Sequence, residues 1–271
     1  MEKSKRLDQF YTKPEIAKLC IEILKTEVNE ENRAQFIEPS AGTGAFSSAL
    51  ENCISIDLDP KTSETIKADF LSIKKEDLSL LEKEKVVIIG NPPFGRISSL
   101  AVKFFNHSTN FGNSIAFILP KTFKKQSIKR RLNPYFHLVF EQDVPKKSFI
   151  FNGEEHDVPC VFQIWRRSHT KRDLSFVYES EYFSFVSQEN ADFAIRRVGG
   201  KTGTIIWNYG SVSKSSHYFI KAKNIGPKEL SILIEKLDFK KYINSTVGIR
   251  SLSKSEIFTE FSNYLKLNGV G

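Results

Sequence analysis

The sequence predicts an α/β fold in which a mostly parallel sheet ends in an antiparallel last strand. Apolar, strand-like runs alternate with helix-like segments up to about residue 140. The run at residues 86–89 is apolar throughout, as expected for a parallel strand that is covered on both faces. Only a loop separates the last two strand-like runs, at residues 137–140 and 158–165, and this arrangement favours antiparallel pairing.

The elements of the first part of the chain follow in order. Thr12 is placed to cap a helix, because apolar residues recur at helical spacing from residue 16 to residue 24. Strand-like segments are predicted at residues 35–40, 53–56, 66–70, 86–89, 114–119, 137–140 and 158–165. Helices are predicted through residue 50 after a Gly-rich turn, and at residues 75–83, 97–105 and 123–136, the last with a basic face.

The residue pattern changes after Lys171, where the sequence becomes rich in aromatic and β-branched residues with an alternating pattern. The alternating aromatic residues are Phe176, Tyr178, Tyr182, Phe183 and Phe185. Strands and loops are predicted at residues 193–201, 205–207 and 218–220, and helices at residues 230–237 and 254–265. We therefore expect a larger domain, residues 1–170, and a small α+β domain, residues 171–271. The small domain is basic, because it contains 15 Lys and Arg residues but only 10 Asp and Glu residues.

The most informative stretch is the loop Asn91-Pro92-Pro93-Phe94, which directly follows the apolar strand at residues 86–89. Open α/β sheets bind their ligands at the carboxyl ends of strands. The two prolines stiffen the loop and remove two N–H groups, so its carbonyls are free to accept hydrogen bonds. The Asn91 side-chain oxygen and a neighbouring carbonyl can accept both hydrogens of a planar amino group, and Phe94 can stack on a flat ring. Taken alone, the stretch is equally typical of a β-turn.

Two earlier strand ends also suit a ligand. The small residues at 40–46 let the backbone approach a ligand closely, although a Gly-x-Gly pair is a weak signal by itself. Asp57, at the tip of the second strand, is well placed to accept from two ribose hydroxyls. The alternative for Asp57 and Asp59 is to cap a helix before Pro60.

Composition limits the classes of partner and site. The formal net charge of +8 and pI of about 9.2 suit a polyanionic partner, or simply solubility. The three cysteines lie far apart without metal-ligand spacing, so we expect reduced thiols and no metal site. No run is long and apolar enough for a membrane span or signal core, so a soluble, cytoplasmic protein is expected.

Five motifs occur here in the order found in gamma-type amino-methyltransferases. They are Phe10-Tyr11-Thr12-Lys13-Pro14, the segment from Glu38 to Gly44, Asp57, Asp69-Phe70 and Asn91-Pro92-Pro93-Phe94. From residue 7 to about residue 167, the chain resembles an S-adenosylmethionine-dependent adenine-N6 methyltransferase of that type. The resemblance implies a Rossmann-like, seven-stranded methyltransferase sheet, S-adenosylmethionine as the cofactor and the N6 amine of adenine as the target.

The resemblance also implies a set of cofactor contacts. The residues matching the motif that holds the methionine part are Phe10, Tyr11, Thr12 and Pro14. The residues matching the segment beneath that part, with its flank, are Glu38, Ser40, Ala41, Gly42, Gly44 and Phe46. Asp57 matches the acid that binds the ribose, with Leu58 beside it. Asp69 matches the acid that accepts from the cofactor's adenine amino group, with Phe70 beside that ring.

The target base has its own implied contacts. Asn91, which also borders the cofactor, and Pro92 match the pair that grips the target amine, and Pro93 completes the loop. Phe94 matches the aromatic residue that stacks on the target ring. Phe151 is expected to pack against the opposite face of that ring, with Phe149 as the alternative.

Nucleic acid is the expected partner, and the second domain is expected to recognise the target. The cations expected to contact phosphates are Lys124, Arg196, Arg197 and Lys201. DNA is favoured over RNA because the opening motif and the C-terminal appendage resemble those of DNA enzymes. The alternatives are adenine-N6 methylation of RNA, methylation of a glutamine amide in protein, and a non-catalytic nucleic-acid-binding module with the same fold.

Overall fold

The computed structural model describes residues 10–27, 34–80, 85–174, 180–243 and 250–268. The chain forms two compact units. The first comprises Met1–Lys124 and Ile128–Leu174, and the second comprises Lys125–Ser127 and Ser175–Gly271.

Ten strands lie in the described part of the first unit. In chain order they are β1 (Tyr11–Thr12), β2 (Ala34–Glu38), β3 (Cys53–Asp57), β4 (Ile66–Lys67), β5 (Lys85–Gly90), β6 (Ser114–Pro120), β7 (Phe136–Asp143), β8 (Phe149–Phe151), β9 (Glu154–His156) and β10 (Cys160–Arg167). Seven of them form one sheet in the order β4-β3-β2-β5-β6-β10-β7. β10 runs antiparallel to both β6 and β7, whereas β2 to β6 pair in parallel. The predicted mostly parallel sheet with an antiparallel last strand is therefore confirmed.

The strand order reverses between β2 and β5, which pair in parallel at the middle of the sheet. β3 and β4 extend the sheet from β2, while β6 extends it from β5. The chain therefore leaves β2 and β5 in opposite directions, and a crevice opens at the carboxyl ends of these two strands. Such a switch point is where open α/β sheets hold their ligands.

Both faces of this sheet are covered. Along β5, Ile88 belongs to one buried apolar cluster, whereas Val87 and Ile89 belong to another. The helix α1 (Pro14–Glu27) packs into the second cluster, and α2 (Ser99–Ser108) packs into the first. This explains why β5 and β6 consist of continuous apolar residues rather than an alternating pattern.

Several predicted helices are shorter than their sequences suggest. The Gly-rich turn leads only into a 3-10 turn at Ser47–Ala49, and the predicted helix at residues 75–83 is a 3-10 turn at Lys75–Asp77, with residues 81–84 outside the described range. The basic helix predicted at residues 123–136 is wrong. A 3-10 turn at Lys121–Lys124 and the four-residue α3 (Gln126–Lys129) stand in its place, followed by turns up to β7.

Thr12 does not cap α1, so that prediction is also wrong. Thr12 belongs to β1, which pairs with β8, and β8 pairs in turn with β9 in a three-stranded sheet that the sequence did not predict. The helix begins at Pro14, and the carbonyl of Lys13 accepts from the N–H groups of Ile16 and Ala17.

The described residues of the second unit form an antiparallel sheet and three helices. Its strands are β11 (Phe183–Val186), β12 (Phe193–Arg196), β13 (Ile205–Ile206) and β14 (His217–Ala222), in the order β11-β14-β12-β13. Its helices are α4 (Pro227–Glu235), α5 (Lys240–Ile243) and α6 (Lys254–Leu267). Phe183 is completely buried among residues of α4 and α6, whereas the predicted strand residues Phe176 and Tyr178 lie outside the described residues.

Cys20, Cys53 and Cys160 are free thiols, and burial raises the pKa of Cys20 and of Cys53 to about 12. Among the residues described, no helix combines the length and the apolar character that crossing a membrane requires.

Candidate functional site

A cavity of about 320 Å³ lies in the first unit, at the carboxyl ends of β2, β3 and β5. Its volume falls at the lower end of the range for small-molecule sites. The residues predicted from the sequence that line it are Phe10, Tyr11, Thr12, Glu38, Ser40, Ala41, Gly42, Phe46, Asp57, Leu58, Asp69, Phe70, Asn91, Pro92, Pro93 and Phe94. Most of the sequence-predicted site residues therefore meet at one cavity.

Asn91 presents a hydrogen-bond acceptor in this cavity. Its Nδ2 donates to the Phe10 carbonyl at 3.0 Å, and because that partner can only accept, the amide must point its –NH2 group there. Its Oδ1 is buried and has no hydrogen-bond partner among the described residues. A buried amide oxygen without a partner is costly, so this site is built to receive a donor.

Neighbouring contacts fix the loop that carries Asn91. The Ser40 hydroxyl donates to the backbone carbonyl of Asn91 at 3.2 Å, which ties the end of β2 to the end of β5. The carbonyl of Phe94 accepts from the N–H groups of Leu100 and Ala101, both at 3.2 Å. The rings of Pro92 and Pro93 stiffen the stretch between these anchors. The orientation of Asn91 is thus set before any ligand arrives.

The wall opposite this loop is formed by β1 and the turn after β2. Gly42 has φ +54°, and a Cβ added there would lie 2.8 Å from Cδ1 of Tyr11. Only glycine therefore allows the backbone to lie flat against the Tyr11 ring. Beside it, Thr12 is buried, and its Oγ1 finds no partner in the part of the chain that the structure describes. Among the described residues, Thr12 Oγ1 is thus a second unpartnered polar atom on the cavity wall, in addition to Asn91 Oδ1.

Glu38 lies at the end of β2 with only 2% of its surface exposed. Its Oε2 accepts from the backbone N–H of Ser47 at 2.8 Å. Burial raises the pKa of Glu38 to about 7, although hydrogen bonds from Ser47 and from the backbone of Phe46 oppose that shift. A buried carboxyl group with a pKa near neutrality will become ionised readily beside a cationic ligand.

Asp57 organises the turn after β2 as well as its own strand end. Its Oδ2 accepts from the N–H of Gly42 at 2.7 Å, and its Oδ1 accepts from the N–H of Asp59 at 2.8 Å. The helix-capping alternative for Asp57 is therefore wrong, since residues 58–65 contain no helix. Leu58 follows with 57% of its surface exposed, so it offers the cavity an apolar surface for a flat ligand.

The far end of the cavity is bounded by Asp69 and Phe70. The Asp69 carboxylate accepts from the N–H of Leu71 at 3.0 Å and caps a 3-10 turn at Phe70–Ser72. Phe70 is nearly buried and packs on Phe104, with the ring centroids 5.6 Å apart. Asp69 is exposed, so its carboxylate can accept further hydrogen bonds from a ligand.

The cavity lining is acidic. Four carboxylates line it, from Glu38, Asp57, Asp59 and Asp69, and none of the described residues that line it is Lys, Arg or His. Such a lining disfavours a phosphate-bearing ligand and favours a cationic one. The acidic lining distinguishes this cavity from the nucleotide sites of other α/β folds, which bind phosphates in the equivalent crevice.

An aromatic cluster adjoins the Asn91 loop. Phe10 lies between the cavity and two other rings, at 5.0 Å from Phe151 and 5.7 Å from His156. Phe151 does not line the cavity itself, but it is half-buried and close to its edge. Phe149 is completely buried in the core, which leaves it no free face for stacking.

Other predicted residues lie elsewhere. Pro14 begins α1, and Gly44 donates its N–H to the carbonyl of Ala41 at 2.7 Å without lining the cavity. Lys124 does not line the cavity; it forms an ion pair with Asp143 at 2.5 Å, and Lys121 pairs with the same carboxylate at 2.8 Å. Arg196, Arg197 and Lys201 belong to the second unit.

Some of the lining residues were not predicted. They include Asp59, Ala68, Leu71, Gly95, Leu100 and Phe104. Phe104 comes from α2, the helix whose N-terminus is held by the Phe94 carbonyl. The only signal for it in the sequence is its helical spacing from Leu100, which cannot distinguish a core position from a cavity position.

Solved structures resemble this fold at low identity. A candidate RNA methyltransferase from Pyrococcus horikoshii is 12% identical with a TM-score of 0.45, over 60% of this chain and 88% of its own. A candidate class I S-adenosylmethionine-dependent methyltransferase from Listeria monocytogenes is 12% identical with a TM-score of 0.44, over 62% of this chain and 64% of its own. The 23S rRNA methyltransferase ErmE is 15% identical with a TM-score of 0.40, over 94% of this chain and 99% of its own.

No family model matches the chain, and no curated protein matches its sequence. The similarities to solved structures are too low to transfer a substrate or a residue role to this chain.

Proposed function

We propose that this protein transfers a methyl group from S-adenosylmethionine to the exocyclic N6 amine of adenine in nucleic acid. The observation that carries the proposal is the buried Oδ1 of Asn91, which lacks a partner among the described residues and is held rigidly at the switch point of the sheet. An acceptor prepared in this way fits a donor such as an amino group. The surrounding loop resembles that of adenine-N6 methyltransferases, and on this basis we identify the donor as the N6 amine of adenine.

The acceptor has a chemical purpose in this reaction. The lone pair of an exocyclic amine is delocalised into its ring, which makes the nitrogen a poor nucleophile. When Asn91 Oδ1 and the Pro92 carbonyl accept the two N–H hydrogens, a tetrahedral nitrogen is favoured and its lone pair becomes available. The same two oxygens stabilise the positive charge that develops on the nitrogen. The cationic nitrogen then releases one proton to solvent, so positioning takes the place of a general-base side chain.

The cavity fits the proposed cofactor on three counts. S-adenosylmethionine supplies an already activated methyl group on a cationic sulfur when it is bound. The acidic lining suits that cation and an ammonium group, and the Thr12 hydroxyl, which has no partner among the residues described, offers a polar contact. The turn at Gly42, which tolerates no Cβ, leaves room for a ligand beside the Tyr11 ring. Asp57 and the exposed Leu58 would hold a ribose and a flat ring.

Nucleic acid is supported by charge and by aromatic rings. The net charge of +8 lies outside the cavity, since none of the cavity-lining residues described is basic. A base inside a helix must leave the stack to reach a cavity, and aromatic faces compensate for the stacking it loses. Phe94 lines the cavity, and Phe151 lies next to Phe10 at its edge. We favour DNA on the resemblance, with RNA as the alternative.

The direct test uses cofactor with a labelled methyl group. The protein is incubated separately with DNA, RNA and protein pools, and the nucleic acids are digested to nucleosides. The proposal expects the label in N6-methylated adenine nucleosides from one nucleic-acid pool, which also decides between DNA and RNA. Label on a protein glutamine amide would overturn the proposed target, and cofactor binding without any transfer would indicate a non-catalytic module.

A further inference from the structure

The turn after Phe94 has an unusual backbone. Ile97 has φ +53° and ψ +39°, and Ser98 has φ +57° and ψ +20°. Two successive residues other than glycine are therefore in the left-handed region. A β-branched side chain in that region is an outlier, because its Cβ crowds the neighbouring carbonyl.

Surrounding contacts hold this turn in its strained conformation. Ser98 is buried, and its hydroxyl is 2.7 Å from Oγ1 of Thr122. The carbonyl of Gly95 accepts from the N–H of Ser98 at 3.2 Å, and a Cβ on Gly95 would lie 2.7 Å from Cβ of Leu100. The turn is thus fixed on both sides of Ile97. Strain that a structure maintains in this way is typical of functional sites.

The side chain that this turn displays is apolar and open to solvent. Ile97 has 77% of its surface exposed, and among the large apolar residues described only Leu267 is more exposed. Its neighbour Arg96 is also exposed. A β-branched side chain has few rotamers, so it loses little freedom when it is inserted between flat rings.

The turn lies three residues after Phe94, whose ring lines the cavity. We propose that Ile97 enters the base stack at the position that the target adenine leaves on its way into the cavity. Apolar side chains inserted between base steps are a known way to stabilise unstacked nucleic acid. Arg96 would contact the adjoining phosphate. This inference rests on the proposed function, because it requires a base that leaves its stack.

The proposal predicts that Ile97→Gly raises the stability of the protein and lowers its activity on paired adenine. Glycine adopts left-handed conformations without strain, so Ile97→Gly should raise the melting temperature. The same substitution should lower methyl transfer to a base-paired adenine at least tenfold, while transfer to the same adenine in a single strand stays within twofold. Ile97→Val keeps a β-branched apolar side chain and should retain most of the activity on paired adenine.

The experiment compares these variants on one oligonucleotide that contains the mapped methylation site, in paired and unpaired form. Val139→Ala, which shortens an exposed apolar side chain on β7, is the matched control and should leave both rates unchanged. Equal losses on both substrates, no loss, or wild-type activity on the unpaired form alone would overturn the role of Ile97. Wild-type inactivity on both forms would instead contradict the proposed function.

Discussion

Gly42→Ala probes the cavity wall where the backbone lies against the Tyr11 ring. Gly42 has φ +54°, and an added Cβ would lie 2.8 Å from Cδ1 and 2.9 Å from Cε1 of Tyr11. Ordinary contacts begin at about 3.4 Å, so either the ring or the turn must move by about 0.6 Å. The turn cannot move freely, because the N–H of Gly42 is held by the Asp57 carboxylate at 2.7 Å.

The energetic cost of Gly42→Ala has two parts. The left-handed backbone costs a residue with a Cβ roughly 1–2 kcal/mol, which lowers the free energy of unfolding. The steric overlap adds roughly 1–3 kcal/mol. If this overlap is relieved by moving Tyr11 within the cofactor site, cofactor binding should weaken by about 5- to 150-fold.

Gly153→Ala is the matched control for the first part. Gly153 has φ +82°, but an added Cβ would meet nothing within 4 Å. Thermal denaturation should therefore show a loss of stability in both variants, whereas calorimetric titration with S-adenosylmethionine should show weaker binding in Gly42→Ala alone. If Gly42→Ala binds the cofactor as tightly as the wild type, Tyr11 and the turn do not bound the cofactor site.

Three further predictions concern charge. The pKa of Glu38, about 7, lies above the ordinary value of 4.5. Glu38 therefore contributes stability that is fully present below pH 4.5 and is lost as the pH rises through 7. The melting temperature of the wild type, relative to that of Glu38→Gln, should fall over that range. Asp57→Ala should weaken cofactor binding by roughly 1.5–3 kcal/mol and lower the melting temperature, since two backbone N–H groups lose their acceptor. Calorimetry on Glu51→Ala, which removes an exposed carboxylate outside the cavity lining, should show little change. The third set removes the cations around the turn at residues 199–200, namely Arg196, Arg197 and Lys201. Their joint replacement by Ala should weaken nucleic-acid binding and reduce its salt slope by about one for each lost phosphate contact, and parallel slopes with equal affinities would contradict this role.

The sequence predicts the sheet well because its strands are continuous apolar runs. Residues 86–89 and 114–119 show the continuous apolar pattern expected for a strand covered on both faces, and the structure places them at the centre of the sheet. The same logic brings Glu38, Asp57 and Asn91 to one cavity, because parallel strands end at one edge of the sheet.

The helices are predicted less well because contacts that are distant in sequence decide them. At residues 123–136, helical spacing is overridden by the turn through Asn133 and Pro134 and by the ion pair between Lys124 and Asp143. Thr12 looks like a helix cap in sequence, but the pairing of β1 with β8 turns it towards the cavity. The hairpin of β8 and β9 is too short to give a recognisable periodicity.

The side-chain contacts of the site could not be predicted either. The hydrogen bond from Asn91 Nδ2 to the Phe10 carbonyl joins residues that are 81 positions apart. It is this contact that turns Oδ1 of Asn91 into an unpartnered acceptor within the described part of the chain. The sequence identifies the residue type and the strand end, and only the three-dimensional contact shows which amide atom is available.

The central claim is that Asn91 acts on the target amine and not on the cofactor. The most direct test measures the rate of methyl transfer and the cofactor Kd for Asn91→Ala, with Asn113→Ala, an exposed asparagine outside the cavity lining, as the control. We expect the control to behave like the wild type and Asn91→Ala to lose about 10²- to 10³-fold in kcat, as expected for the loss of a transition-state hydrogen bond, while the cofactor Kd stays within twofold. A cofactor Kd that rises by the same factor by which the rate falls would contradict this assignment.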